Sequence, residues 1–407
     1  MQIEARPQVL TGGEAVAHAM RQIDPDVVPV YPITPQTPII QGFAKFVADG
    51  RAHGEIVNVE SEHSAMSAAV GSALAGARTI TATSSQGLAL MVEVIYIAAG
   101  MRAPIVMAVG NRALSAPINI HGDHSDAYLA RDTGAIQILV ENAQEAYDFM
   151  VMAPRIAEHP DVLLPVLVGQ DGFTITHSAE PVRLLEDEQV KEFVGAYRLP
   201  FPLLDVERPT SQGLFAMPDY YTELRYQGVA AMAAAIPVID AVCAEFAELS
   251  GRGYGAAEGY RLDGAEVALV CMGSTAGTAK DVVDELRDGG EAAGLLQLRS
   301  FRPFPAERIR SLLAGVARIE VLDRADTPGG IPALHAEIAA ATYGLDAKLD
   351  GHVYGLGGRD ITPAEIREVF AGTAPRYVGL RSSRRSLDGG DQGAEVPAWP
   401  APKRVNA

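Results

Sequence analysis

Between residues 27 and 170, short apolar runs alternate with longer stretches whose apolar residues recur at helical spacing. Strands that are apolar at nearly every position are buried on both faces, and their alternation with helices is typical of a parallel sheet covered on both sides. We predict strands over 27–33, 55–59, 79–83, 104–109, 135–140 and 162–169, and helices over 37–48, 61–77, 87–100 and 143–158. The pattern predicts a doubly wound α/β domain at residues 1–178.

The pattern changes after residue 178. Residues 179–264 are rich in proline and then show helical spacing over 226–249, which indicates an extended connector that wraps over the first domain or a neighbouring chain. A second α/β domain is predicted at 265–380, with strands over 267–273, 294–299 and 318–324, helices over 278–287 and 331–341, and a turn followed by a helix over 301–315. Residues 381–407 form a polar tail rich in Gly and Pro, a composition typical of disorder.

Composition and charge exclude several classes of protein. The chain has 407 residues, 48% of them hydrophobic, and a formal net charge of −18, which argues against nucleic-acid binding because that requires a basic surface. Its two cysteines, Cys243 and Cys271, lie far apart in sequence. Two scattered thiols exclude a disulfide framework, and also a zinc or iron–sulfur site built from this chain alone, which needs about four ligands. If the protein transfers electrons, its metal centres lie on other chains.

The N-terminal sequence MQIEARPQ lacks the basic start and apolar run of a signal peptide. The most apolar stretch, 87–101, is too short to cross a bilayer and contains Glu93. We therefore expect a cytoplasmic protein without a membrane span.

Four polar loops follow predicted strands, where sites in parallel α/β sheets lie. They read YPITPQT (31–37), ESEHS (60–64), SSQG (84–87) and GNRALSAPINIHGDHSD (110–126). The last is the longest loop of the domain, which favours a functional segment over a simple connection.

Two charged residues in these loops each have a structural and a functional interpretation. Glu62 can complement the dipole of a helix capped by Ser61, or its carboxyl can lie in an apolar pocket and share a proton with a bound heterocycle. Arg112 can form a structural ion pair, or its planar guanidinium can bind a small carboxylate at the end of a strand.

Two motifs leave alternatives open. HGDHSD (121–126) contains two His and two Asp, a composition that suits a divalent metal, a hydrogen-bond and capping network, or a wall of an active site. MGSTAGT (272–278) resembles a phosphate-binding turn but misses the spacing of both the dinucleotide and P-loop motifs, so a tight turn with a capped helix fits as well. We assign no metal to this chain.

The motifs YPITPQTP, ESEHSAMSAAVGSALAGART, TATSSQGLALM, GNRALSAPIN, GDHSD, ARDTG and LLPVLVGQDGF occur in one order. Together with MPDYYTELRYQ at 217–227 and VALVCMGS at 267–274, they resemble the α subunit of the pyruvate:ferredoxin (2-oxoacid:acceptor) oxidoreductase family. The resemblance runs from about residue 12 to the mid-370s. It implies a pyrimidine-binding thiamine diphosphate domain followed by a domain like the C-terminal domain of transketolase.

The resemblance also implies a reaction and partners. A 2-oxoacid is joined to coenzyme A, CO₂ is released, and two electrons pass to ferredoxin, or to NAD through another subunit. Thiamine diphosphate is shared with a β subunit that carries the diphosphate–Mg²⁺ site and an iron–sulfur cluster, and γ and ferredoxin-like subunits complete the complex. The 4Fe–4S clusters therefore lie on partner chains.

Residue roles follow from the same resemblance. Glu62 falls on the glutamate that contacts the aminopyrimidine, Thr34 on a threonine that hydrogen-bonds the substrate, and Arg112 on the arginine that pairs with its carboxylate. Ser85 and Gln86 are further candidates for the cofactor pocket. Glu60 is the rival of Glu62 if the alignment slips.

The chain departs from the pyruvate pattern at two positions. His121 and Ala135 stand where pyruvate enzymes of this type commonly carry Trp, so we place both in the substrate pocket and expect a substrate larger than pyruvate. The first choice is an aryl 2-oxoacid such as phenylglyoxylate, as in a phenylglyoxylate dehydrogenase. Pyruvate or a branched-chain 2-oxoacid is the alternative.

Two other functions stay open. One is a lipoamide-linked decarboxylase component, which would use thiamine diphosphate without an iron–sulfur partner. The other is a non-catalytic assembly subunit that retains the fold.

Overall fold

The computed structural model describes residues 7–381, so the polar tail predicted at 381–407 lies almost entirely outside the described residues. The first part of the chain alternates strands and helices as predicted. Its elements are β1 (Gln8–Thr11), α1 (Gly12–Ile23), β2 (Val27–Val30), α2 (Thr37–Ala48), β3 (Glu55–Asn58), α3 (Glu62–Ala75), β4 (Thr79–Thr83), α4 (Ser85–Gly100), β5 (Ile105–Asn111), α5 (Ser125–Leu129), β6 (Ile136–Leu139), α6 (Ala143–Ala157), β7 (Val166–Asp171), β8 (Ala179–Val182) and α7 (Asp187–Val194).

The first sheet has seven strands in the order β12-β6-β7-β5-β4-β2-β3, where β12 is Ser300–Arg302. Strands β2 to β7 are parallel, and β12 adds antiparallel to β6. Every residue of β4, β5 and β7 is buried, as expected for central strands. The doubly wound sheet predicted from the sequence is confirmed.

Alternate residues of β5 show how the sheet is covered on both faces. Val106 and Ala108 pack in a core with α1, α6 and the long helix α8 (Pro218–Ser250), whereas Ile105 and Met107 pack in a second core with α3 and α4. Side chains of a strand alternate between the faces of its sheet, so a single apolar strand contributes to both cores.

The connector at 179–264 packs on the first domain. Strand β8 pairs with β1, and the second half of α8 packs mainly against α6 through residues such as Val238 and Phe246. Helix α8 has 33 residues and begins earlier than the predicted 226–249. Among the described helices it is the one that length and composition alone would allow to cross a membrane, although the sequence led us to expect no span. Because its buried side chains belong to the protein core, this is weak support for a span.

The second domain contains a five-stranded sheet in the order β14-β13-β10-β11-β9. All neighbouring strands are parallel except β9, which pairs antiparallel with β11. Its elements are β9 (Ala257–Tyr260), β10 (Val267–Cys271), α9 (Thr275–Asp288), β11 (Ala293–Leu298), α10 (Ala306–Leu312), β13 (Arg318–Asp323), α11 (Ala333–Thr342), β14 (Lys348–Val353) and α12 (Pro363–Phe370). The sequence pattern predicted β10, β11 and β13 but missed β9 and β14.

The carboxyl ends of strands from the two sheets face each other. Asp171 ends β7, and it contacts Ser274 after β10 and Arg324 after β13. Tyr128 of α5 donates a hydrogen bond to Asp323 at 2.6 Å across the same boundary. Strand β12 lies in the sequence of the second domain but completes the sheet of the first. The boundaries between the domains therefore stay a prediction.

Candidate functional site

Glu62 lies in the first turn of α3, directly after the Ser61 cap. Ser61 Oγ accepts a hydrogen bond from the Ser64 N–H at 3.2 Å, so the cap is made without the Glu62 carboxylate. Glu62 is only 8% exposed. Among residues 7–381 no donor hydrogen-bonds its carboxylate. A nearly buried carboxylate without a partner is costly and is therefore a candidate for contact with a ligand.

Gly87 in α4 makes room for the Glu62 carboxylate. A Cβ at this position would lie 2.8 Å from Glu62 Oε1 and 2.5 Å from Thr83 Oγ1. Thr83 Oγ1 and the neighbouring Ser84 Oγ are buried and have no hydrogen-bond partner among the described residues. The rival Glu60 is exposed. Glu62 is thus the carboxylate that faces the loop after β4, and Gly87 is a site residue that the sequence analysis missed.

Arg112 follows β5 and is held in place by carbonyl oxygens. Its Nε donates to Asn119 O at 2.7 Å and its Nη1 to Thr34 O at 3.0 Å. The residue is only 7% exposed, and Nη2 has no hydrogen-bond acceptor within the described chain. Burial lowers the pKa of Arg112 from its usual value, while the nearby Asp126 raises it. The arrangement leaves a cationic nitrogen available to an anion.

Thr34 and Arg112 are therefore brought together, as the resemblance implied. Thr34 is exposed, and the contact is made by its backbone carbonyl oxygen. Its hydroxyl has no described hydrogen bond and remains available to a substrate.

Ser85 and Gln86 open helix α4 beside Glu62. Ser85 is fully buried, and its Oγ lies 2.7 Å from both Ala113 O and Gln86 Oε1. The hydroxyl of Ser85 is thus occupied within the protein and joins the loop after β4 to the loop after β5. Gln86 is half-buried beside it.

Asp126 is a buried carboxylate beneath these loops. It accepts hydrogen bonds from the backbone N–H groups of Ser85 and Arg112 and from the side chain of Asn111. Burial raises the pKa of Asp126 to about 6, even though these three hydrogen bonds lower it. In the sequence Asp126 is one of two aspartates of HGDHSD, and nothing in the pattern distinguishes it from Asp123.

His121, which was expected in the substrate pocket, lies in the long loop after β5. It is exposed, and its ring packs on Phe173 with 4.8 Å between centroids. Its backbone N–H donates to Asn119 Oδ1 at 2.7 Å, next to the carbonyl that holds Arg112.

The structure does not bring Ala135 into the site. Ala135 is fully buried in the core between the sheet and helices α3 and α4, directly before β6. Residues at the start of β6 lie at the amino edge of the parallel sheet, whereas Arg112 lies at the carboxyl edge. A strand of this length spans about 20 Å, so the expectation that Ala135 lines the substrate pocket is corrected.

The remaining side chains of HGDHSD form hydrogen bonds rather than a metal site. Asp123 Oδ1 accepts from Ser125 Oγ at 2.6 Å, and His124 Nε2 lies 2.7 Å from Asp171 Oδ1. Within the described residues no group of three or more His, Cys, Asp or Glu side chains is arranged to hold a metal. The geometry matches the hydrogen-bond network that was one alternative for this motif.

The MGSTAGT turn also binds a carboxylate of the protein itself. The backbone N–H and the hydroxyl of Ser274 donate to Asp171 Oδ2 at 2.8 and 2.6 Å. Burial would raise the pKa of Asp171, but the adjacent Arg324 and His124 lower it well below its usual range. We name Asp171, His124, Ser274 and Arg324 the interdomain junction. Because Asp171 occupies the turn, the structure favours the tight-turn interpretation over a phosphate site.

A cleft of about 720 Å³ separates the long loop from the second domain. Its polar lining includes Asp123, Asp132 and Asp326, and Arg131 is paired with Asp132 at 3.5 Å. An anionic carboxylate is therefore accommodated better at Arg112 than in this acidic cleft.

Comparison with known proteins identifies the family. Residues 18–243 match the family described as pyruvate flavodoxin/ferredoxin oxidoreductase, thiamine diphosphate-binding, and residues 265–366 match pyruvate:ferredoxin oxidoreductase core domain II. The chain belongs to this family.

Curated relatives match over nearly their whole length. The chain is 52% identical over 382 residues to the pyruvate synthase subunit PorA of Thermotoga maritima, covering 91% of this chain and 97% of that protein. It is 40% identical over 372 residues to the ketoisovalerate oxidoreductase subunit VorA of Pyrococcus abyssi, covering 90% and 94%. It is thus a subunit of a 2-oxoacid oxidoreductase.

Solved structures share the fold. A 2-oxoglutarate:ferredoxin oxidoreductase from Magnetococcus marinus superposes with a TM-score of 0.74 at 18% identity, covering 91% of this chain and 65% of that one. A split-gene transketolase superposes with a TM-score of 0.53 at 13% identity, covering 90% and 98%. The predicted family and fold, a thiamine diphosphate-binding domain followed by a second α/β domain, are confirmed.

The expected aryl substrate is not supported. The relatives named above take their names from pyruvate and ketoisovalerate, which favours the alternative stated from the sequence. The physical reason for the error is the position of Ala135: a small residue in the core does not enlarge a pocket at the opposite edge of the sheet.

Proposed function

We propose that this chain is the α subunit of a coenzyme A-dependent oxidoreductase that acts on pyruvate or a small branched-chain 2-oxoacid, with ferredoxin as acceptor. Oxidative decarboxylation would join the acyl group to coenzyme A, release CO₂ and pass two electrons to the acceptor. The observation that carries the proposal is the pair of buried, incompletely partnered charges, Glu62 and Arg112, which follow β3 and β5 at the carboxyl edge of one sheet.

Arg112 would bind the carboxylate of the 2-oxoacid. Two carbonyl oxygens fix the guanidinium plane, and Nη2 is left for an incoming oxygen. A charged hydrogen bond from a planar, pre-oriented donor restricts the orientation of the substrate as well as binding it. The nearby Thr34 hydroxyl is free to contact the same substrate.

The residues around Glu62 fit the aminopyrimidine of thiamine diphosphate. The carboxylate is nearly buried and lacks a donor among residues 7–381, so a ring nitrogen carrying a proton would satisfy it. Thiamine diphosphate supplies the chemistry that stabilises negative charge on the 2-oxoacid carbon when CO₂ leaves. Glu62 holds a proton at the ring nitrogen, and Gly87 gives the carboxylate its space.

The rest of the cofactor site is assigned to partner chains. Cys243 and Cys271 are both buried and unpaired, and burial raises the pKa of Cys243 to about 12, which disfavours the thiolate that an iron–sulfur cluster needs. Helix α4, which begins at the cofactor loop, exposes Leu90 at 48% and Ile97 at 45%. An apolar outer face so close to Glu62 is suited to a β subunit that brings the diphosphate, Mg²⁺ and a cluster. γ and ferredoxin-like subunits would complete the complex.

Pyruvate is the favoured substrate. The 52% identity to a pyruvate synthase subunit exceeds the 40% identity to a ketoisovalerate oxidoreductase subunit. The test is a turnover screen of the native complex with pyruvate, branched-chain, 2-oxoglutarate and aryl substrates in the presence of coenzyme A and ferredoxin. We expect the highest kcat/KM with pyruvate. No turnover on any 2-oxoacid would contradict the proposal and favour a non-catalytic assembly subunit, and turnover without iron–sulfur absorbance would favour the lipoamide-linked alternative.

A further inference from the structure

One buried carboxylate joins the loop after β4 to the loop after β5. Asp126 Oδ2 accepts hydrogen bonds from the backbone N–H groups of Ser85 at 2.9 Å and Arg112 at 3.0 Å. Its Oδ1 accepts from Asn111 Nδ2 at 2.9 Å and from the Ala127 N–H at 2.7 Å. Each carboxylate oxygen therefore has two donors, and one of the oxygens is shared between the two loops of the site.

Neither of the two amide N–H groups finds a hydrogen-bond acceptor within its own helix or strand, since Ser85 is the first residue of α4 and Arg112 follows the end of β5. Arg112 directly follows the last residue of β5, so its N–H is at the end of the strand ladder. Ser85 has a φ of 50°, a left-handed conformation that is unfavourable for a residue with a side chain. A buried acceptor that satisfies both amides stabilises this local geometry.

We propose that Asp126 is a positioning residue for the 2-oxoacid site. It acts through the backbone amides of Ser85 and Arg112 and sets the position of the Arg112 guanidinium relative to Glu62. The inference rests on the proposed function, because it assumes that Arg112 binds the substrate carboxylate. Asp126 is fully buried beneath the loops, and its role is to fix the residues that would make the contact.

The test uses Asp126→Ala in the purified complex. With both acceptors removed, we expect KM for pyruvate to rise about tenfold or more, the magnitude of one weakened charged hydrogen bond. Amide hydrogen exchange in peptides that contain Ser85 and Arg112 should accelerate about tenfold, because both N–H groups lose their acceptor. If either KM or exchange stays at the wild-type value, the inference is overturned.

Asp126→Asn is the conservative variant. Asn111 Oδ1 is buried and has no partner among the described residues, so this amide can turn and accept from the new Nδ2. The new oxygen then still faces Ser85 and Arg112, while the hydrogen bond from the Ala127 N–H is lost. We expect KM within about threefold of wild type, because the two amides that hold the site keep an acceptor, although a neutral one replaces a charged one. Equal losses for the Asn and Ala variants would overturn the inference. If the Ala variant does not assemble, the amide hydrogen-exchange rate of the Asn variant is the test. We expect exchange at the Ser85 and Arg112 amides to accelerate about threefold. An unchanged exchange rate would overturn the inference.

Two controls separate positioning from general stability and from the proposed function. Asp148→Asn alters another buried carboxylate, which is hydrogen-bonded by Arg252 and Tyr254, and should lower stability without changing KM.

Arg112→Lys tests the substrate contact directly. An unchanged KM in this variant would contradict the proposed role of Arg112, whatever the result for Asp126. If Asp126 acts through Arg112, adding Asp126→Ala to Arg112→Lys should raise KM by less than about twofold. Fully multiplicative effects would overturn the inference.

Discussion

Two carboxylates at the carboxyl edge of the first sheet, one after β3 and one at the end of β7, have opposite surroundings. The Asp171 side chain, at the interdomain junction, is 1% exposed and accepts hydrogen bonds from His124, from the N–H and hydroxyl of Ser274, and from Arg324. Glu62, beside β4, is 8% exposed and has no donor among residues 7–381. One carboxylate is satisfied by its own protein, and the other is left for a ligand.

The two arginines differ in the same way. Arg324 donates from Nη1 to Asp171 at 2.7 Å, so its charge is paired inside the protein. The Arg112 guanidinium donates only to carbonyl oxygens in the part of the chain that the structure describes, and no carboxylate hydrogen-bonds it. Burying an unpaired cation costs free energy, which a bound carboxylate would offset.

This contrast separates buried charge that holds the two domains together from buried charge that is available for chemistry. Both kinds lie on loops at the carboxyl ends of parallel strands, so position in the fold alone does not distinguish them. The partners of each side chain do. Substitutions at the two places should therefore affect different measurements.

Glu62→Gln should have the largest effect, and it should be on turnover. A neutral amide cannot hold the proton that Glu62 shares with the cofactor ring, and general acid–base groups contribute roughly 10²–10⁴-fold to rate. We expect kcat of the purified complex to fall by about that factor, with assembly and thermal stability retained. Glu60→Gln, two residues earlier and exposed, is the matched control and should be silent. A large loss in the control with near-normal turnover in Glu62→Gln would transfer the role to Glu60.

Asp171→Ala should instead reduce stability. Removing one partner of a buried ion pair leaves the other charge uncompensated, at a cost of about 3–5 kcal/mol in the free energy of unfolding. Because the pKa of Asp171 is lowered from 3.8, its contribution is present above that pH and is lost only as the pH falls through the folded-state pKa. The difference from wild type should thus be constant near neutral pH, as measured by urea unfolding.

Asp240→Ala is the control for the junction. Asp240 pairs with Arg308 at 2.6 Å, but their side chains are 34% and 36% exposed, so water can replace the lost partner. We expect a cost of at most about 1 kcal/mol. Equal losses at Asp171 and Asp240 would contradict the view that the junction gains its importance from burial.

The sequence predicted much of the fold because its central strands are apolar at every position. Strand β4 was predicted with its observed bounds, and helix α2 likewise. The edge strands β9 and β14 were missed, since strands that are only partly buried lack a continuous apolar run. The short strand β12 was read as a turn before a helix, because its pairing with β6 comes from a distant part of the chain.

The site was predicted in part. Glu62 and Arg112 were found because a charged residue directly after a buried strand is conspicuous, and the family resemblance gave them roles. Gly87 was missed because it matters only through its contact with another part of the chain: a Cβ here would collide with Glu62 Oε1. Sequence spacing does not reveal such a contact. Ala135 was misplaced because a comparison of residue types carries no information on which edge of the sheet a position occupies.

The position of Ala135 gives the prediction with the smallest expected effect on activity. Ala135→Trp would insert an indole into a core where Ala135 is fully buried, and this should cost at least the roughly 1–3 kcal/mol that added methylene groups cost in a packed core. Urea unfolding should therefore show reduced stability, while the ratio of kcat/KM between pyruvate and a branched-chain acid stays unchanged, since the substitution lies at the opposite edge of the sheet from Arg112. His121→Trp is the control: its ring is exposed, so stability should change by no more than about 0.5 kcal/mol. If Ala135→Trp instead rejected the larger acid selectively while stability was retained, the core placement of Ala135 would be wrong and the pocket expected from the sequence would be restored.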